Sequence, residues 1–114
     1  MIQIYGRKKC AATRKAERFF SERRIPIQSI DVEVKPPGRR EIELFIQVIG
    51  AEPLIDTGSR LYRDRGLAYL EYDPAEEITD HPAILRTPVV RSGRVLAVGD
   101  DESSWKRIAA AEST

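Results

Sequence analysis

The first 32 residues change hydrophobic period twice, and that change dictates the opening unit of the fold. Ile2 to Tyr5 alternates apolar and polar residues and ends at Gly6, the pattern of a short strand. From Ala11 to Arg24, apolar Ala12, Ala16, Phe19 and Phe20 recur at helical spacing, with Lys15, Glu17, Arg18 and Glu22 on the wet face. Pro26 marks the helix end, and Ile25 to Val32 alternates again as a second strand. A strand, a helix and a strand imply a parallel pair joined by a right-handed crossover.

The remainder extends this unit. "KPPGRRE" is a turn into a helix whose inner stripe is Ile42, Phe45, Ile46 and Ile49, with Gly50 as its stop. Residues 52–85 read as short helices joined by turns, with Gly66 and Pro74 as breakers. "TPVVRSGRVLAVG" is a hairpin that turns at Ser92-Gly93. "DDESSWKRIAAAE" closes as a helix, with Asp100 or Asp101 as N-cap and Trp105 and Ile108 facing inward. The tail "AAAEST" reads as frayed. The order is β-α-β-α-(helical insert)-β-β-α: an α/β fold with a mixed four-stranded sheet. A single domain over 1–114 is expected, with the insert at about 38–85.

Composition narrows the function. The net charge is +1, which excludes a whole-surface nucleic-acid or membrane binder. No apolar run approaches the roughly 18 residues of a membrane span, and the N-terminus has no apolar signal core. One Cys and one His rule out an internal disulfide and make a zinc site untenable. A cytoplasmic monomer without a metal or bound cofactor is the expectation.

The one cysteine has a specific address. "YGRKKCAATRKAERFF" puts Cys10 where the first strand gives way to the first helix. The first-turn N–H groups of a helix have no intrahelical partner, and the positive end of its dipole lies there. Both favour thiolate and pull the pKa below the free value of about 8.5. Arg7, Lys8, Lys9 and Arg14 add positive charge nearby, and Thr13 can offer the sulfur a hydroxyl. The same features would attract an oxyanion. With no second thiol, a mixed disulfide at Cys10 needs an outside thiol to resolve it. A thiol at the first helix start in this element order is the thioredoxin-like layout. In that layout a cis-proline precedes the third strand, which makes Pro88 the candidate. The Thr87 backbone would then face an extended thiol substrate.

These segments resemble the glutaredoxin-coupled arsenate reductase family, which also contains the Spx regulators. The similar elements are the "Y-x-x-x-x-C-x-x-x-R-K-A" start, "D-x-x-x-x-P-x-x-x-E-I", "SRLYRDRGL", "HPAIL", "TPVV" and "VGDDESSW". The resemblance implies a thioredoxin-like (glutaredoxin-like) fold, Cys10 as nucleophile and Arg14 as its neighbour. It implies glutathione as co-substrate, glutathione or glutaredoxin as partner, and a small oxyanion or disulfide as substrate. The three arginines that hold the oxyanion in such reductases fall at Asp56, Thr87 and Val98 here. Arg60, Arg86, Arg91 and Arg94 are the possible replacements, and Arg60 is kept with Thr13, Thr87 and Pro88 as a binding candidate. Arg86 is offset by one residue, which in a strand turns a side chain to the other face. Spx-like proteins typically carry a C-x-x-C switch, and Thr13 stands where its second thiol would be. The Spx likeness implies RNA polymerase as an alternative partner. Tyr5 and Trp105 read as supports, His81 as a helix-end residue away from the thiol, and Arg63, Arg65, Arg91 and "KPPGRRE" as solvated surface.

Overall fold

The computed structural model describes residues 1–112; Ser113 and Thr114, the end of the tail read as frayed, lie outside them. Strand β1 is Ile2–Gly6, helix α1 Ala11–Glu22 and strand β2 Ile27–Asp31. Helices α2 (Arg39–Ile49), α3 (Ala51–Leu54), α4 (Arg60–Asp64) and α5 (Pro74–Asp80) follow. Short 3-10 turns lie at Leu67–Tyr69 and Pro82–Ile84. Strands β3 (Val89–Ser92) and β4 (Val95–Val98) and helix α6 (Glu102–Glu112) complete the chain. The sheet order is β2-β1-β3-β4, with β1 parallel to β2, and β3 antiparallel to both β1 and β4. This is the thioredoxin-like α/β fold with a mixed four-stranded sheet.

Strand alternation divides the core between two faces. Ile2, Ile4 and Val90 pack with Ala16, Phe19 and Phe20 of α1 and Trp105 and Ile108 of α6. Tyr5 and Val89 point the other way, into a cluster with Ile42 and Phe45 of α2 and Ile78 of α5. The Tyr5 hydroxyl donates to the Glu41 carboxylate, and burial together with that bond pushes its pKa up to about 12. The insert is stitched to the approach of β3. Ile55 bridges Leu85, Asp56 N–H donates to the Ile84 carbonyl at 2.9 Å, and Arg86 N–H donates to the Leu54 carbonyl at 2.7 Å.

Local chemistry corrects three expectations. Helix α1 ends at Glu22 rather than Arg24, because Arg24 takes a left-handed φ of 57° and Ile25 N–H donates back to the Phe20 carbonyl at 3.0 Å. That turn also delays β2 to Ile27. On α1 it is Thr13, not Ala12, that joins Ala16, Phe19 and Phe20 on the buried face. Gly50 ends α2 at φ 98°, its N–H on the Ile46 carbonyl at 2.8 Å. Asp101 caps α6, accepting from Ser104 N–H at 3.2 Å and Ser104 Oγ–H at 2.6 Å. Among the described residues, no helix is long and apolar enough to cross a membrane.

Candidate functional site

Strand β1 delivers the thiol through a four-residue turn. Cys10 N–H donates to the Arg7 carbonyl at 3.1 Å, and the Cys10 carbonyl accepts from Arg14 N–H at 3.2 Å to begin α1. Cys10 is thus the N-cap residue, extended at φ −85° and ψ 114°, with its side chain half-buried. The packing of α1 on β1 depends on Gly6. A Cβ there would lie 2.2 Å from Thr13 Cγ2 and 2.6 Å from Thr13 Oγ1. Glycine alone lets Thr13 sink to 5% exposure beside the thiol.

The start of β3 forms the opposite wall. The Thr87–Pro88 bond is cis, and Cys10 Sγ–H donates to the Thr87 carbonyl at 3.6 Å. Thr87 is buried. Its Oγ1 accepts from Arg7 Nη1 at 3.2 Å, while Arg7 N–H donates to Thr13 Oγ1 at 3.3 Å. The Arg7 guanidinium also donates to the carbonyls of Leu85 at 2.8 Å and Pro82 at 2.9 Å, and Nε lies 3.7 Å from Glu33.

Electrostatics at the sulfur favours the anion. Burial alone would raise the Cys10 pKa. The hydroxyls of Thr13 and Thr87 and the N–H groups of Thr13 and Ala12 outweigh it, and the pKa lies below the ordinary thiol value. The N–H groups act as oriented dipoles without closing a cap hydrogen bond on the sulfur. The flanking cations contribute differently from the expectation. Arg14, expected as a cation neighbouring the thiolate, donates Nη1 to the Lys8 carbonyl at 2.7 Å and lies exposed.

Thr13, Thr87 and Pro88 therefore converge on Cys10, and Arg60 does not. Its side chain is 87% exposed on α4 and pairs with Asp64 at 3.6 Å. Arg86 is spent on the carbonyls of Pro53 at 2.9 Å and Ile55 at 3.2 Å. Arg91 donates to the Gly93 carbonyl at 2.8 Å and lies 3.9 Å from Glu41, so it is tethered rather than free on the surface. Arg65, also expected to be solvated, grips the buried Glu77 carboxylate with two donors. Asp56 accepts from Gly58 N–H at 3.2 Å in the turn before α4, and Val98 packs against the larger core cluster. His81 lies 3.9 Å from Glu77 at the end of α5. Among the described residues, no group of three His, Cys, Asp or Glu side chains could hold a metal ion. The residue missed from the sequence is Arg7, taken there as one cation in a basic run. Its partners lie 75 to 80 positions away, beyond the reach of any local pattern.

The model of the ArsC family matches residues 5–108, nearly the whole chain.

The chain belongs to the ArsC family.

Among curated relatives, the ArsC-family chain is 27% identical over 113 residues to global transcriptional regulator Spx 1 of Bacillus cereus. That match covers 94% of this chain and 86% of that protein. Global transcriptional regulator Spx of Bacillus subtilis is 26% identical with the same coverage. Among solved structures, arsenate reductase from Vibrio cholerae superposes with a TM-score of 0.83 at 18% identity, covering 94% of this chain and 96% of the other. An arsenate reductase (ArsC) related protein from Brucella melitensis superposes at 0.71 with 18% identity, covering 93% and 92%. At these identities the structural likeness shows the shared fold.

Proposed function

We propose that this ArsC-family protein is a thiol-dependent oxidoreductase that uses Cys10 as its single nucleophile and glutathione as its resolving thiol. The observation that carries the reading is the half-buried Cys10 at the start of α1, its sulfur 3.6 Å from the Thr87 carbonyl and its pKa lowered by the Thr13 and Thr87 hydroxyls. The Cys10 thiolate attacks the disulfide between glutathione and a substrate thiol. A Cys10–glutathione bond forms, and the substrate leaves as its thiolate. A second glutathione thiolate attacks the Cys10-bound sulfur, restoring the Cys10 thiolate and releasing glutathione disulfide. The substrate sulfur is reduced, and glutathione supplies both electrons. The Thr87 backbone beside cis-Pro88 aligns the incoming chain. The reaction belongs in a reducing, cytoplasmic setting, with glutaredoxin as the alternative reductant. The test is reduction of a glutathionylated peptide by glutathione. Wild-type protein should accelerate it, and Cys10→Ser should abolish the acceleration. Equal rates for the two would sink the proposal.

Arsenate reduction is less well supported. Asp56, Thr87 and Val98 occupy the family's arginine positions, and Arg60, Arg86 and Arg91 are engaged elsewhere. Lack of arsenate turnover with glutathione and glutaredoxin is the expected result. A second reading draws on the curated Spx relatives, which are named transcriptional regulators. In that reading the chain binds RNA polymerase through a face that needs no disulfide. A titration with the C-terminal domain of the polymerase α subunit tests it, and Cys10→Ser should leave such binding intact.

A further inference from the structure

We infer that Arg7 is a positioning residue whose side chain turns the Thr87 hydroxyl proton toward the Cys10 sulfur, while its backbone N–H does the same for Thr13. The inference rests on the reading of Cys10 as a reactive thiolate and names what holds it ready. A threonine hydroxyl has one proton to give and lone pairs to receive. Arg7 N–H occupies the receiving side of Thr13 Oγ1 at 3.3 Å, and Arg7 Nη1 occupies that of Thr87 Oγ1 at 3.2 Å. Neither donor can accept in return, and a guanidinium stays protonated. Each hydroxyl proton must therefore be directed elsewhere, and the Cys10 sulfur, 3.6 Å from the Thr87 carbonyl, is the group whose anion both hydroxyls favour.

The same side chain holds the far wall in register. Its donors on the Pro82 and Leu85 carbonyls tie down the segment that carries Thr87, and the Arg7 side chain is only 16% exposed. With the bond to Thr87 Oγ1, these contacts occupy three donor bonds of the guanidinium, so Arg7 serves the protein rather than a substrate anion. The other charged groups around the thiol turn are exposed Lys8 and Lys9, Arg14 of α1 on the Lys8 carbonyl, Glu33 beside Arg7 Nε, and Glu17 of α1 and Asp31 of β2, which line a groove with Arg7, Lys8 and Thr13.

A double-mutant cycle separates relay from simple charge. The pH midpoint of Cys10 alkylation by iodoacetamide is measured for wild type, Arg7→Met, Thr87→Val and the double mutant, with near-UV circular dichroism confirming folding. The relay predicts that Arg7→Met raises the midpoint in wild type at least twice as much as in the Thr87→Val background. Equal displacements would mean that Arg7 acts by charge or loop support, and would overturn the relay while leaving the Cys10 reading intact. A wild-type midpoint at the ordinary thiol value would overturn both. Arg7→Lys keeps the charge without the fork. It should raise the midpoint in wild type and leave it unmoved in Thr87→Val; no change in wild type counts against the relay.

Discussion

Replacing Gly6 by Ala should loosen the whole thiol turn. The new methyl would sit 2.2 Å from Thr13 Cγ2, where carbon atoms in contact prefer about 3.5–4.0 Å. More than 1 Å of relief must therefore come from somewhere. The strand cannot readily retreat, because Gly6 pairs in register with Asp31 and its carbonyl accepts from Val32 N–H at 3.0 Å. Thr13 is buried on α1, so the helix must shift or the threonine must leave its rotamer. Overpacking of this kind costs about 1–3 kcal/mol, and a helix clamped to a central strand belongs at the upper end. At roughly 4 °C per kcal/mol for a chain of this size, the melting temperature should fall by about 10 °C. Thermal and urea melts followed by far-UV circular dichroism measure this. Removing the obstructing atoms is the internal control. Thr13→Ala takes away Cγ2 and Oγ1 and leaves Cβ at 2.9 Å, so the Gly6→Ala/Thr13→Ala double mutant should recover more than half of the loss. A Gly6→Ala protein within about 0.5 kcal/mol of wild type, or a double mutant whose losses simply add, would refute the packing argument.

Other consequences follow from the same contacts. Thr13→Val keeps the shape and removes the hydroxyl, so the Cys10 pKa should rise and alkylation at neutral pH should slow; an unchanged rate would deny the hydroxyl its role. The raised Tyr5 pKa means that the folded state holds a proton which the unfolded chain releases. Stability should therefore be full below pH 10 and fall by roughly 2–3 kcal/mol as pH rises toward 12; Tyr5→Phe should lack that component in alkaline urea titrations. Asp101 has its pKa lowered chiefly by the Ser104 hydroxyl, so the charge-dependent part of its capping is fully present above the ordinary carboxylate pKa and is lost as pH falls through the depressed one. Asp101→Ala should cost about 1 kcal/mol at neutral pH and less once wild type is fully protonated, as read from urea midpoints across the acid range. Trp105→Ala should cost about 3–5 kcal/mol in the same denaturation assay, since the side chain is fully buried against Phe19.

The parts legible in the sequence are those with a local period. Ile2 and Ile4 alternate against Tyr5, and Ile42 and Phe45 repeat at helical spacing, so the strand, the helix and their inner faces could be read directly. Cys10 was legible by position alone, because the strand-to-helix boundary is itself a local signal. Thr13 escaped the apolar count because its methyl packs while its hydroxyl bonds. Arg7 and Arg65 escaped because a cation's partner is not written beside it. The Pro82, Leu85 and Thr87 acceptors reach Arg7 only after the insert has folded back, and Glu77 looks like one more acid in a wet run until α5 buries it. Arg60 shows the converse: a sequence position near a family arginine, with a side chain the fold turns to solvent.

The most direct test is the ultraviolet absorbance of the Cys10 thiolate followed against pH, with Cys10→Ser as the blank. Convergent hydroxyls and amides predict a midpoint below the roughly 8.5 of an unperturbed thiol. A midpoint at or above that value would contradict the account.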